Sequence, residues 1–248
     1  MKISVLWISA VIVVYSCNPG LKKKHIAVQE PQEKVFTNLK GKGPEISLEL
    51  FKGESFYYPL MAIWLEDESG KYIQTLYVAK SVATGVFKYG KQKNGKWVTA
   101  PKRAPQTLPY WAHKRDLVSS DRLYMPDPQN HVPDAYSGAT PTSGFILTAR
   151  ADSTLPEKYK VLLEINQNWD WNEYWTNDKY PNDEFYKMSC QPALVYETAI
   201  DSKSLKESYK MKAIGHSHYS GQNGELFSDL STLTTALHIA DSVIVKVK

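Results

Sequence analysis

Short apolar segments, each bounded by turn-forming residues, follow one another from Ile46 to the end of the chain. Segments such as LMAIWLED and YKVLLEIN are short and rich in the aliphatic and aromatic residues that strands favour. Polar turns such as DESGK, NGK and DSTLPEK separate many of them. This pattern predicts an all-β sandwich. The predicted strands are Ile46–Phe51, Leu60–Asp67, Tyr72–Ala79, Gly144–Ala151, Tyr159–Asn166, Leu194–Asp201, Tyr209–Gly215 and Ser242–Lys248.

Helical periodicity is weak, and it predicts only two short helical turns, Tyr110–Leu117 and Leu230–His238. Two long insertions, Lys80–Pro133 and Asn168–Pro192, interrupt the strands. Insertions of this length in a compact domain are usually either functional or packed covers. We therefore expect one β-sandwich domain over residues 45–248, with long loop insertions and short helical turns.

The first 17 residues have the organisation of a signal peptide. One lysine precedes an apolar run from Ile3 to Tyr15, which is too short for a good membrane span. The run ends in Val-Tyr-Ser-Cys, which resembles a bacterial lipobox, and this resemblance implies cleavage before Cys17 and acylation of its thiol. An ordinary signal peptide cut nearby is the alternative. Both interpretations predict export, and the lipobox adds a lipid anchor in the bilayer, facing the periplasm or the cell exterior.

A flexible tether is expected between the anchor and the folded body, because residues 18–44 are polar and rich in lysine. The net charge of +4 is spread along the 248 residues, so nucleic acid is not an expected partner. Cys190 is the only other cysteine, so acylation of Cys17 would leave no internal disulfide. We expect Cys190 to be a small buried residue; a catalytic nucleophile is the alternative.

One loop, PDAYSGATPTSGF, has a composition that presents a hydroxyl group. Its pattern is D-x-x-S-G-A-T, formed by Asp134, Ser137, Gly138, Ala139 and Thr140. Gly138 permits a left-handed conformation or the close approach of another backbone, and Pro141 stiffens the chain after the threonine. Asp134 is expected either to cap the turn or to help hold a metal brought by a modifying enzyme. A plain turn before a strand is the alternative, since turns favour the same residues.

The same motif resembles the acceptor site for covalent flavinylation in the FMN-carrying subunits of sodium-pumping NADH:quinone oxidoreductase and related electron-transfer complexes. In those families an exported ApbE-type flavin transferase moves FMN from FAD onto the motif threonine as a phosphoester. The resemblance implies FMN on Thr140, with Asp134, Ser137, Gly138 and Ala139 as recognition positions. It also implies a membrane redox protein as electron-transfer partner.

A second resemblance covers the chain from about Tyr58 to Asn166. The stretches YPLMAIWLEDESGKYIQTLYV, PYW, DAYSGAT and EIN are similar to the domain-of-unknown-function 2271 family of exported bacterial proteins. That family resembles immunoglobulin-like sandwiches, and the likeness implies such a fold here. This chain departs from the shorter family members in its second insertion and its extended C-terminal half. The D-x-x-S-G-A-T motif is also part of that family pattern, so it belongs either to the fold or to the cofactor.

Aromatic residues near the motif are candidate neighbours for an isoalloxazine ring, which stacks well on aromatic side chains. Tyr136 lies within the motif, and Tyr110 and Trp111 lie in the insertion before it. Such residues more often belong to a core, as expected for Trp64 within a strand.

The second insertion combines Trp169, Trp171, Tyr174 and Trp175 with several acids and amides. Aromatics beside amides and acids suit stacking on sugars, and clustered oxygen ligands suit Ca²⁺, although the spacing matches no EF-hand loop. A covering loop that needs aromatic anchors to stay ordered is the alternative.

Two histidines, His216 and His218, would lie on one face of a strand. They would hold Zn²⁺ or Cu²⁺ only with a third ligand such as Glu225 or Asp229. Without a defined ligand spacing, a loop with exposed histidines is the better interpretation, and no metal site is assigned.

Motifs of self-contained enzymes, including the GxSxG elbow, the Walker loop and the dinucleotide fingerprint, do not occur in the sequence. The sequence therefore favours an exported, lipid-anchored carrier of covalent FMN that works in extracytoplasmic electron transfer. The alternative is a cofactor-free binding or structural lipoprotein that recognises glycan or protein through its Trp/Tyr-rich loop, residues Trp169–Tyr186.

Overall fold

The computed structural model describes residues 33–248. Its strands are β1 (Glu33–Thr37), β2 (Glu45–Lys52), β3 (Leu60–Asp67), β4 (Tyr72–Ala79), β5 (Val86–Lys93), β6 (Lys96–Pro101), β7 (Ser137–Gly138), β8 (Phe145–Arg150), β9 (Lys158–Asn166), β10 (Leu194–Asp201), β11 (Tyr209–Lys210), β12 (Lys212–His216) and β13 (Ala240–Val247). Three short helices, α1 (Lys80–Thr84), α2 (Pro109–Lys114) and α3 (Glu184–Ser189), and two 3₁₀ turns (Asp134–Tyr136 and Thr235–His238) complete the elements. Seven of the eight predicted strands are present as single strands, and both predicted helical turns fall on α2 and the second 3₁₀ turn. The predicted strand Tyr209–Gly215 is wrong as one element: it divides at Met211 into β11 and β12, which belong to different sheets.

Two mixed sheets pack face to face in a sandwich-like arrangement. One has the strand order β1-β8-β2-β13-β11, and the other has the order β12-β10-β9-β3-β4-β7. Alternate residues of each strand point into the shared core, because successive side chains of a strand face opposite sides. On β2 these are Ile46, Leu48 and Leu50, and on β3 they are Met61, Ile63 and Leu65, all fully buried.

The outer face of the six-stranded sheet is also buried. Trp64, Leu162 and Val195 on that face pack against the first insertion, chiefly against Trp111 of α2 and Val132. The central strands β3 and β9 are thus covered on both sides, which explains why their sequences are almost continuously apolar rather than alternating. Much of the first insertion is therefore a packed cover.

The predicted tether is too long at its C-terminal end. Residues 33–37, which were assigned to it, form β1 and pair in parallel with Phe145–Ala149 of β8. This strand is hard to recognise in the sequence because it lies among lysines and its apolar residues do not alternate with polar ones. Val35 and Thr37 point inward, whereas Lys34 and Phe36 point outward. Residues 18–32 of the tether, Cys17 and the predicted signal peptide lie outside the described residues. Within residues 33–248, the helices are all too short or too polar to cross a bilayer.

A two-stranded hairpin within the first insertion was not predicted. Strands β5 and β6 pair with each other in a separate sheet around the turn Asn94-Gly95. Both turn residues have positive φ (51° and 72°), as expected of the tight turns that join hairpin strands. We refer to residues 86–101 as the lysine hairpin, because it carries Lys88, Lys91, Lys93 and Lys96.

Candidate functional site

The D-x-x-S-G-A-T segment carries the chain from one sheet to the other. After the 3₁₀ turn, Ser137 and Gly138 form the edge strand β7, which pairs in parallel with Val78 and Ala79 of β4. The chain then crosses to β8 in the five-stranded sheet. We call residues 134–144 the motif loop, and it lies at the edge of the sandwich, where a second protein has access to it.

Gly138 is required by the close approach of a buried aromatic ring. A β-carbon at this position would lie 2.9 Å from Cε2 of Tyr77, closer than real β-carbons approach other atoms. The Tyr77 hydroxyl donates a 2.8 Å hydrogen bond to the Ala139 carbonyl, and burial raises the pKa of Tyr77. The expected left-handed conformation of Gly138 is wrong, because its φ is not positive, and what approaches it is a side chain rather than a backbone.

Tyr136 ties the first part of the motif loop to a neighbouring turn. Its hydroxyl donates to both carboxylate oxygens of Asp152, at 2.8 and 3.0 Å. Partial burial, the hydrogen bond and the charge of Asp152 together raise the pKa of Tyr136 to about 12. Asn38 reinforces the contact, since its side chain donates to Asp152 and its backbone N–H donates to the Ala135 carbonyl. Because the Tyr136 ring also packs against the outer core, it supports the loop rather than offering a free stacking face.

Glu33 fixes the other end of the motif loop. Its Oε1 accepts hydrogen bonds from the backbone N–H (2.7 Å) and hydroxyl (2.6 Å) of Thr142, and from the N–H of Ser143 (3.1 Å). These bonds, led by the Thr142 hydroxyl, lower the pKa of Glu33. The first residue of β1 thus organises a segment more than 100 positions later in the chain.

The Thr140 side chain lies between the contacts made by Tyr136 and those made by Glu33, and it takes part in neither. Thr140 is partly exposed, and its hydroxyl forms no hydrogen bond with any of residues 33–248. Asp134 and Ala139 are exposed, whereas Ser137 and Gly138 are half-buried in β7. Asp134 does not cap the turn as expected, because Pro133 precedes the 3₁₀ turn and no side-chain cap is formed. The loop therefore has a fixed backbone and a free hydroxyl.

The two aromatic residues expected near the motif belong to the cover of the outer core. Trp111 is fully buried and donates its indole N–H to the Thr75 hydroxyl at 3.0 Å. Tyr110 is partly buried, 6.0 Å from the Trp64 ring, and Lys114 lies over it at 5.1 Å. Trp64 itself is fully buried, as predicted for a strand residue.

The Trp/Tyr-rich loop is divided between core and surface. Trp175 and Tyr186 are buried in the main core, as expected of anchoring residues. Three other aromatics project into solvent: Trp169 is 59% exposed, Trp171 57% and Tyr174 53%. Lys179 covers one face of Tyr174, with its ammonium 3.2 Å from the ring centroid.

A groove of about 590 Å³ runs beside this loop. Its walls include the parallel rings of Tyr180 and Tyr219, whose centroids are 4.2 Å apart. Asp183 also lines it, but its carboxylate caps α3 by accepting from the N–H groups of Phe185 and Tyr186. Asp183 thus serves local structure, and no group of three or more potential metal ligands occurs within residues 33–248.

His216 and His218 pack into an aromatic cluster instead of projecting into solvent. His216 is buried, its Nδ1 lies 2.8 Å from the Ser217 carbonyl, and its ring stacks on Phe227. His218 stacks on Tyr219 with centroids 4.3 Å apart. Burial lowers the pKa of both histidines. The expected loop with exposed histidines is therefore wrong for His216, and neither Glu225 nor Asp229 joins them in a metal-ligand group.

Cys190 is fully buried, which confirms the expected small core residue. Burial, with a contribution from the charge of Asp170, raises the pKa of its thiol to about 11. A thiol of this kind is protonated at neutral pH and is a poor nucleophile.

The sequence did not single out Glu164, the acid with the strongest burial. Glu164 is fully buried on β9, and its two oxygens accept from the N–H groups of Tyr110 (3.1 Å) and Trp111 (2.8 Å) at the start of α2. Burial raises its pKa to about 7 despite these bonds. In LLEIN the side chain of Glu164 points to the outer face of the sheet, where a charged residue would normally meet water. Here the first insertion covers that face, so Glu164 is buried. Glu164 thus holds the cover in place.

Two surface features of the chain are candidates for its function. The motif loop offers a free hydroxyl on a fixed backbone, and the Trp/Tyr-rich loop offers exposed rings beside a groove. Comparisons of the chain with protein-family models, with curated proteins and with solved structures find no match to any of them.

Proposed function

We propose that this chain is an exported lipoprotein that carries FMN as a phosphoester on the Thr140 oxygen and works in extracytoplasmic electron transfer. The observation that supports this most is the state of the motif threonine. Thr140 is partly exposed and its Oγ1 is unbonded within residues 33–248, while residues on both sides of it are held by hydrogen bonds. Buried hydroxyls are usually hydrogen-bonded within a protein, whereas this one is left open to solvent and to a modifying enzyme.

The loop fits a group attached after folding. Tyr77 and Glu33 hold the backbone before and after Thr140, so modification of the hydroxyl breaks no contact of the described fold. Asp134 and Ala139 are exposed and accessible to an ApbE-type flavin transferase. In the transfer, the threonine oxygen forms a bond to the FMN phosphorus, the pyrophosphate bond of FAD breaks, AMP leaves, and the hydroxyl proton passes to a base or to solvent.

The role of the chain is attachment and positioning. Tyr77, Tyr136 and Glu33 fix the loop relative to both sheets, so that a group on Thr140 is carried at a defined edge of the sandwich. When bound, the flavin supplies the one- or two-electron chemistry between a membrane redox protein and an acceptor.

Two finer assignments belong to the same proposal. The two packed sheets accord with an immunoglobulin-like member of the domain-of-unknown-function 2271 family, as the sequence likeness implies. The lipobox-like Val-Tyr-Ser-Cys supports acylation of Cys17 and an anchor in a membrane facing the periplasm or the exterior. A lipid anchor would keep the carrier close to a membrane-bound electron donor.

Intact mass tests the flavin assignment. The full chain is co-expressed with an ApbE-type transferase, and Thr142→Ala is the matched control, since Thr142 lies two positions away and its hydroxyl is bound to Glu33. We expect an FMN-sized adduct and flavin fluorescence of the denatured band in the wild type and in Thr142→Ala, and neither in Thr140→Ala. An adduct that persists in Thr140→Ala, or none in the wild type while a known acceptor is modified, contradicts the proposal.

A second candidate is a cofactor-free binding lipoprotein that recognises glycan through the Trp/Tyr-rich loop. It is favoured by the exposure of Trp169, Trp171 and Tyr174 beside the groove. Aromatic faces are the usual platforms for sugar rings. Glycan-array binding that is lost in Trp169→Ala/Trp171→Ala and retained in Trp97→Ala, which removes a similarly exposed ring elsewhere, would support it. Equal array signals for the three proteins would rule it out.

A further inference from the structure

The lysine hairpin is a projecting element with little contact to the sandwich. Nearly all residues of β5 beyond Phe87 and all of β6 except Ala100 are exposed. Hairpins of two strands are marginally stable in water by themselves, so an exposed one needs a reason to persist. The tight Asn94-Gly95 turn and the cross-strand pairs supply part of that stability.

The charge of the hairpin is of one sign. Lys88, Lys91, Lys93 and Lys96 are exposed, and none of them forms an ion pair with any of residues 33–248. The sequence contains no acid between Glu68 and Asp116, so the hairpin and its base are surrounded in the chain by positive charge alone. The expectation that the net charge of +4 is spread along the chain is therefore wrong for this segment.

Two of the lysines face each other at the tip. Lys93 is the cross-strand partner of Lys96, directly beside the turn. Like charges in directly opposed positions destabilise a strand pair. The arrangement becomes favourable when an anionic surface neutralises both charges, which indicates a negatively charged partner.

Apolar and aromatic side chains are interspersed with these lysines. Trp97 is 52% exposed, Tyr89 59% and Val98 36%. Trp97 is the cross-strand partner of Gln92, so it lies on the face of the hairpin opposite to Val98 and the tip lysines Lys93 and Lys96. Tryptophan and tyrosine are the residues that favour the boundary between water and lipid, where one part of the ring is in contact with hydrocarbon and the other with water. Lysines beside them match the phosphate layer of the same boundary.

We propose that the lysine hairpin docks tip first on an anionic phospholipid bilayer, with Trp97 on one face and Val98 on the other in the headgroup layer, Tyr89 nearer the base, and the four lysines at the phosphates. Burial of the exposed rings and the valine side chain away from water lowers the free energy. A bilayer buries them more completely than an acidic protein or a nucleic acid does. The charges are all lysines, compact point charges suited to a diffuse anionic surface, whereas bidentate recognition of single phosphates favours arginine. This proposal requires neither FMN nor acylation of Cys17.

The position of the hairpin gives the docking a direction. The hairpin begins after Gly85, one short helix beyond the end of β4, and that same end of β4 pairs with β7 of the motif loop. The base of the hairpin and the motif loop thus lie at the same corner of the sandwich. Docking through the hairpin would bring this corner toward the membrane.

Quenching of tryptophan fluorescence by brominated lipids tests the proposal. The full chain is mixed with vesicles of brominated phosphatidylcholine alone, or with added phosphatidylglycerol. We expect quenching attributable to Trp97 only when the anionic lipid is present: it should be lost in Trp97→Phe and retained in Trp169→Phe, which removes another exposed tryptophan. High salt should weaken it, because the attraction is screened.

The lysines are tested with a matched pair of quadruple variants. Lys88→Gln/Lys91→Gln/Lys93→Gln/Lys96→Gln should lose most of the Trp97 quenching. Lys203→Gln/Lys206→Gln/Lys210→Gln/Lys212→Gln, which removes four exposed lysines elsewhere, should retain it. Unchanged circular dichroism would establish that both variants are folded. The proposal is overturned if Trp97 is never quenched, if both variants behave alike, or if the hairpin lysines support binding to an oligonucleotide or acidic peptide without quenching by lipid.

Discussion

The ring of Tyr77 lies against the backbone of Gly138 so closely that a β-carbon would stand 2.9 Å from its Cε2 atom. Tyr77 is fully buried, so its ring has little room to move. We predict that Gly138→Ala lowers the free energy of unfolding by about 1–3 kcal/mol, as is usual for overpacking. Urea unfolding measures this, and Ala139→Gly, one residue further on and exposed, is the control. A Gly138→Ala protein as stable as the wild type would show that the ring can shift.

Glu164 should make stability depend on pH. Its pKa in the fold is about 7 against an ordinary 4.5, because burial disfavours the charged form. The protonated form therefore favours folding: the contribution is complete below pH 4.5 and is lost as pH rises through about 7. We predict a fall of up to about 3 kcal/mol across this window from this group.

Comparison with Glu164→Gln isolates that contribution. Burial lowers the pKa of His216 and His218, and these groups act in the opposite direction, adding stability as pH rises through 6.5. The difference between wild type and Glu164→Gln in urea midpoint, followed from pH 4.5 to 8, cancels the histidine effect. A constant difference would mean that Glu164 keeps its charge throughout, held by the Tyr110 and Trp111 N–H groups.

Cys190 should be chemically silent in the folded protein. Its thiol is fully buried and burial raises its pKa to about 11, so almost no thiolate exists at pH 8. We predict that iodoacetamide leaves the Cys190 peptide unmodified under native conditions and alkylates it completely in urea, as read by peptide mass mapping. Rapid alkylation of Cys190 in the folded protein would contradict this prediction and would support the alternative that Cys190 is a catalytic nucleophile.

Two tryptophans in the first insertion should differ sharply in their importance for stability. Trp111 is fully buried between α2 and the outer sheet face, so Trp111→Ala should cost about 3–5 kcal/mol. Trp97 is half-exposed on the lysine hairpin, so Trp97→Ala should change stability by less than about 0.5 kcal/mol. Thermal unfolding of the two variants in parallel provides the measurement. Similar losses in both would mean that the hairpin packs on the sandwich more than its exposure indicates.

The strands were predictable because apolar content and turns mark them directly, as in LMAIWLED before the DESGK turn. The parallel pairings of β1 and β7 were not, since their partners lie far away in the sequence. For the lysine hairpin, the Asn94-Gly95 turn beside tyrosine, tryptophan and valine was an available signal. Its lysines obscured the alternation on which strand prediction depends.

The motif loop was found from its residue types, but its supports were not. Nothing in the sequence connects Glu33 with Thr142, or Asp152 with Tyr136, because these contacts depend on how the sheets are arranged. Likewise Glu164 is buried only because the first insertion folds back over β9. Local patterns predict elements, whereas contacts between distant elements decide which polar groups are buried.

The pairing of β1 with β8 has a practical consequence for colloidal behaviour. A shortened chain beginning at Glu45, the boundary that the sequence suggests, would lack the strand that covers β8 along Phe145–Ala149. The sheet edge would move from β1, a short strand that carries Glu33 and Lys34, to the more apolar β8, and edges without charged residues invite strand-to-strand association between molecules. The segment from Glu33 thus replaces an apolar sheet edge by a charged one, besides supporting Thr142 and Ser143.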